Sequence, residues 1–178
     1  QLTAQFPSTT AAALTTLNTG FPVGKHGIYE WFYYEPSTDA VISPLIFSFA
    51  EDKIRNTLQK AGVRPETILP QKTFYEHLKK MGIESQVLIP QEYFPSPYAD
   101  ILMKEANITP YKTVAEGLTK LLVSLPKKRK PSYTLFYFHK IDSLAHKYGS
   151  TSPYCEAEID AFFYSLENTF LNKQKKNN

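Results

Sequence analysis

Small and hydroxyl-bearing residues dominate residues 5–26, QFPSTTAAALTTLNTGFPVGKH, where Ala and Thr stand in place of a bulky apolar stripe. The pattern predicts a short helix entered from a hydroxyl-rich loop and left through Thr19-Gly20 and a proline turn. The aromatic run 29–34 reads as a strand or a buried extended segment, residues 35–43 are turn-rich, and 44–50 form a short apolar stretch. Residues 51–61 place Ile54, Leu58 and Ala61 at helical spacing ahead of Gly62. Residues 72–81 repeat the device with Phe74, Tyr75, Leu78 and Met81 ahead of Gly82, and 83–89 read as a strand. Helix, glycine, strand is the αβ step of an α/β domain.

Residues 91–109, rich in Pro, Tyr and Ser, read as mostly irregular with a helical turn near 99–105. Thr113 and Glu116 form a capping-box pair ahead of Leu118, Leu121, Leu122 and Leu125, and Pro126 with the basic run after it ends that helix. The strongest strand is 132–139, SYTLFYFH, apolar and aromatic almost throughout, as expected where helices cover both faces. A last helix starts at Ser152-Pro153, with Cys155, Ile159, Phe162, Phe163, Leu166 and Phe170 as its apolar stripe. No internal repeat or clear domain linker interrupts the pattern.

Composition narrows the picture. With 178 residues, 42% of them hydrophobic and 14% aromatic, the chain can bury one substantial core. The single cysteine, Cys155, rules out an internal disulfide framework or a thiolate metal cluster, and its place in an apolar stripe argues against a nucleophile. The formal charge of +3 comes from residues 127–130 and from Lys173, Lys175 and Lys176; without those seven positive charges the body carries −4. These runs lack interleaved aromatics, so no nucleic-acid partner is expected. No apolar run approaches the ~20 residues that span a bilayer, and the chain opens on Gln1 without the charged-then-apolar pattern of a signal peptide.

Two constellations could carry chemistry. Ser8, Thr9 and Thr10 sit where a helix begins, and the free N–H groups there attract phosphate-like anions. One of the three hydroxyls acting simply as an N-cap is the plainer reading. Asp142 and His146 follow the strongest strand, in the region where open α/β sheets bind ligands, and their spacing of four lets both reach one cation. His77 reads as solvated, His139 as the close of a strand, and His26 as a brace for its loop through hydrogen bonding. The chain has no G-x-S-x-G elbow, no G-x-x-x-x-G-K-[ST] phosphate loop and no G-x-G-x-x-G fingerprint.

Residues 6–11 through Thr19-Gly20-Phe21-Pro22 and His26-Gly27-Ile28 resemble the nucleophile region of the type I phosphodiesterase/nucleotide pyrophosphatase family, within the alkaline phosphatase superfamily. Residues 141–149 resemble its first zinc-ligand motif, D-x-x-x-H-x-x-G, and the likeness to bacterial members extends over nearly the whole chain. The resemblance implies an alkaline phosphatase-like α/β fold, a mostly parallel sheet flanked by helices. It implies one partial catalytic domain over 1–178, truncated at both ends, with the nucleophile region in 1–35 and the first zinc-ligand motif in 139–150. In the family it resembles, the nucleophilic threonine lies nine positions before the Thr of the T-G pair, so the resemblance implies Thr10 as nucleophile, with Thr9 as fallback.

The same resemblance implies two zinc ions, one bound by Thr10 and the other by Asp142 and His146, and a small phosphodiester or nucleotide substrate. Where well-known eukaryotic members carry an Asn three positions after H-G-I, this chain has Trp31. An upstream Asp, a downstream Asp-His pair and a further His of the family are absent from this stretch. The implied activity is therefore that of the complete protein, the alternative being a non-catalytic remnant or interaction module that keeps the fold without a complete metal site.

Overall fold

The computed structural model describes residues 3–125 and 131–177, the last three by backbone alone. Residues 126–130, which carry the expected helix-ending proline and basic run, lie outside the described residues. The chain divides into two compact units, one of residues 1–85 and 95–106, the other of 86–94 and 107–178.

The first unit is organised around helix α1 (Thr10–Thr19), which ends at Gly20 in the left-handed conformation, φ 71°. Its interior face is half polar: Ala11 and Ala12 are buried, and so are Thr15, Asn18 and Thr19. Burying those groups requires partners. Thr15 Oγ1 lies 3.0 Å from the Tyr98 hydroxyl. The Tyr75 hydroxyl donates to Asn18 Oδ1 at 2.8 Å, and Thr19 Oγ1 donates to the Thr15 carbonyl. Tyr75 belongs to α4 (Phe74–Lys80) and Tyr98 to α5 (Pro97–Leu102), so two tyrosines hold α1 against its neighbours. The one-turn helix α2 (Val23–His26) follows α1.

An antiparallel sheet then forms from β1 (Tyr33–Glu35), β2 (Ala40–Ser43) and β3 (Ser48–Phe49). Only the end of the aromatic run 29–34 is strand, and the segment read as turn-rich is a hairpin whose turn the Glu35 carboxylate closes by accepting from Ser37 N and Oγ. The helix expected over 51–61 shrinks to α3 (Thr57–Lys60). Side chains explain why: Ser48 Oγ donates to the Ile54 carbonyl, Thr57 Oγ1 accepts from Phe49 N–H, and Asn56 adopts φ 66°. The loop is tied to β3 instead of winding into a helix, and Ile54 is left 57% exposed.

The second unit centres on β4 (Glu84–Pro90), whose residues 85–90 are all buried. It pairs in parallel with β5 (Asn107–Tyr111), from Gln86 opposite Asn107 to Pro90 opposite Tyr111, and β6 (Ser132–Phe136) lies on its other side. Sequence reading placed the first part of β5, to residue 109, in an irregular stretch; Pro110 is tolerated because β5 is an edge strand of this sheet among the described residues. The irregular stretch also holds α5, capped by Ser96, which accepts from Ala99 N–H. β6 is shorter than 132–139 and its described residues are at most half-buried, so the two covered faces expected of it are found on β4.

Helix α6 (Val114–Ser124) follows β5 and packs on it. Its capping box forms: Thr113 Oγ1 accepts from Glu116 N–H, while Glu116 Oε2 accepts from Lys112 N–H at 2.7 Å. The Lys120 ammonium and that backbone bond hold the Glu116 carboxyl down to about 2. Leu88, Tyr111 and Leu121 form the core cluster, with Leu125, Phe136 and Phe170 against it. After β6 come α7 (Lys140–Tyr148) and α8 (Pro153–Ser165), the latter capped by Ser152. A π-helical turn over Leu166–Leu171 and α9 (Asn172–Asn177) complete the described chain. Of the expected α8 stripe Cys155 is buried, but Phe163 is 59% exposed.

Candidate functional site

Each of the two candidate constellations lies in one unit. In the first, the loop 3–9 delivers three consecutive hydroxyls to the start of α1, and the structure gives them different work. Thr9 is the N-cap, with an extended backbone and its Oγ1 accepting from Ala12 N–H at 3.3 Å. Ser8 is exposed. Thr10 is the first helical residue, half-buried, and among the described residues its hydroxyl makes no hydrogen bond. The capping bond that the sequence left open among the three hydroxyls falls to Thr9.

Downstream of α1, His26 is buried and bonded on both ring nitrogens. Its Nδ1 lies 3.1 Å from Ile28 N, and its Nε2 lies 3.0 Å from Thr16 Oγ1. This is the brace expected of it. Burial pushes its pKa below the ordinary imidazole value, so the ring is neutral at pH 7. Trp31 is partly exposed and packs edge-on against Phe32.

In the second unit the strand ends meet. Tyr137 N–H bonds the Leu88 carbonyl, and the Tyr111 hydroxyl donates to the Tyr137 carbonyl at 2.5 Å, so the chain leaving β6 is tied to the ends of β4 and β5. From there α7 sets out. Asp142 in its first turn and His146 in its last stand on one helical face, with Oδ1 and Nε2 3.6 Å apart. Both point into solvent, Asp142 59% and His146 80% exposed. One carboxylate oxygen and one imidazole nitrogen fit two of the four positions zinc commonly fills. Among the described residues no group of three or more His, Cys, Asp and Glu gathers, so these two do not make a closed metal site by themselves.

Sequence reading missed the cluster beside them. His139, just before α7, is buried; its Nε2 lies 2.9 Å from Glu92 Oε1, and the Tyr93 ring packs edge-on against it at 5.0 Å. Burial, then the Lys140 charge, lowers its pKa. A cavity of about 230 Å³ opens at these strand ends, lined by Pro90, Tyr111, Lys112, Phe138, His139 and Lys140 among others. Glu92 and His139 are 47 positions apart in the chain, and only the pairing of β4 with β6 brings them together.

A parallel strand pair that feeds helices and gathers polar side chains at its strand ends is the construction of an α/β domain with a ligand-binding edge. Murine ectonucleotide pyrophosphatase/phosphodiesterase 5 has a similar fold: TM-score 0.65 at 17% identity, over 99% of this chain and 43% of that one. The chain thus spans less than half the length of that structure. A model of the type I phosphodiesterase/nucleotide pyrophosphatase family matches residues 1–164, and the chain belongs to that family. No curated protein matches the sequence significantly.

Proposed function

We propose that the chain is part of a catalytic domain that hydrolyses phosphodiester or pyrophosphate bonds of a small nucleotide-like substrate, with Thr10 as nucleophile. The observation that supports this most is the division of labour at the start of α1: Thr9 takes the capping bond and leaves the Thr10 hydroxyl uncommitted, on the helix turn whose free N–H groups suit a phosphate. Thr10 Oγ loses its proton and bonds to phosphorus as the bond to the leaving oxygen breaks and that oxygen takes up a proton; water then cleaves the Oγ–P bond, its hydroxyl going to phosphorus and its proton to Oγ. Asp142 and His146 would hold one zinc ion, with further ligands supplied by the rest of the protein, and Thr10 would coordinate a second. Such ions, when bound, supply charge neutralisation for phosphoryl oxygens.

A second reading, a folded remnant without activity, draws on the absence of any three-ligand cluster among the described residues. One assay separates the two. The complete protein, supplied with zinc, hydrolyses bis-p-nitrophenyl phosphate, and Thr10→Ala reduces turnover by at least about a thousandfold, a loss in the range seen when a covalent nucleophile is removed. Full turnover in the variant defeats the nucleophile assignment, and an inert wild-type protein establishes the remnant.

A further inference from the structure

The hydrogen bonds around His26 form a chain with a fixed direction. Ile28 contributes a backbone N–H, which can only donate, so His26 Nδ1 is the acceptor at 3.1 Å. A neutral imidazole accepting at Nδ1 carries its proton on Nε2, and that proton goes to Thr16 Oγ1 at 3.0 Å. The Thr16 hydroxyl, its lone pair engaged, donates to Gln5 Oε1 at 2.7 Å. The orientation of the Gln5 carboxamide follows from a backbone amide 23 positions away. Gln5 Nε2 is buried and finds no partner among the described residues, so Thr16 supplies the bond that orients this side chain.

We infer that His26 and Thr16 are positioning residues for the nucleophile: through Gln5 they hold the loop 3–9 against the middle of α1 and so fix the entry to Thr10. This inference rests on the reading of Thr10 given above. The geometry favours such a role because the relay joins the loop before the helix start to the turn after its end. Moving Gln5 away from the helix breaks its bond to a side chain that is itself held by buried His26. Neither His26 nor Thr16 needs to touch substrate. Their loss shows in the alignment of the attacking hydroxyl and leaves substrate affinity alone.

Thr16→Val in the complete protein removes both hydroxyl bonds at nearly constant volume. The expected result is a fall in kcat of about 10- to 100-fold on bis-p-nitrophenyl phosphate, the usual cost of a small misplacement of a reacting group. KM stays within about twofold, Thr16→Ser restores kcat, and amide hydrogen exchange across residues 3–9 speeds up in Thr16→Val alone. A Thr16→Val protein with wild-type exchange in that loop overturns the inference, as does equal loss of kcat in Thr16→Ser. The exchange arm is independent of catalysis: if Thr10→Ala keeps its turnover, the nucleophile reading falls while the relay is still judged by loop exchange.

Discussion

At the scale of single residues, the start of α1 shows how adjacent threonines acquire different roles. Thr9 has the extended backbone of a cap and a bonded hydroxyl, while Thr10 has neither. Thr9→Ala is therefore expected to cost about 1 kcal/mol of stability. Thr10→Ala should stay within about 0.5 kcal/mol of the parent. Denaturant midpoints of the two variants check this, and the reverse order would move the cap to Thr10. The sequence made the hydroxyl cluster legible but not its allocation, because that depends on one backbone dihedral. Asp142 and His146 were legible as a pair, since i, i+4 spacing alone puts them on one helical face. Glu92 and His139 were not: nothing local marks a contact made by strand pairing.

Among the elements, those set by local chemistry read most clearly from the sequence. α6, α4 and α8 each begin on a side-chain cap one residue ahead of the helix, Thr113, Thr73 and Ser152. The short antiparallel strands, the reduced α3 and the proline-bearing β5 depend on partners far along the chain, and there the hydrophobic pattern failed. The α6–β5–β6 packing carries its own prediction. A Cβ at Gly117 would lie 2.9 Å from Phe136 Cε2 and 2.9 Å from Tyr111 Cγ. Those rings stack at 5.0 Å, and the Tyr111 hydroxyl is anchored to Tyr137, so neither ring yields easily. Alanine usually improves a helix interior by about 1 kcal/mol over glycine. Here overpacking, at about 1–3 kcal/mol, outweighs it. Gly117→Ala should lower the unfolding midpoint, and a raised midpoint would contradict the packing described.

For the molecule as a whole, each unit buries an imidazole, His26 in one and His139 in the other, and burial lowers both pKa values in the folded chain. Unfolded, the same groups take up protons near pH 6.5. Below that pH the unfolded state binds more protons, so the stability these groups contribute is complete above about 6.5 and is lost as pH falls through the folded values. Melting temperatures measured at pH 7.5, 6.5 and 5.5 should drop with acidification, and a double His26→Gln, His139→Gln variant should lose much of that drop. An equal drop in the variant would place the acid sensitivity elsewhere. The division into units also has a consequence for how the chain is made. It passes from the first unit to the second at residue 85, back at 95, and over again at 107. A ribosome has therefore already released β4 before α5 emerges with Tyr98, the partner of Thr15. The helix that begins at Thr10 waits for nearly a hundred residues of synthesis to gain its last tether, and no single cut through the chain frees either unit intact.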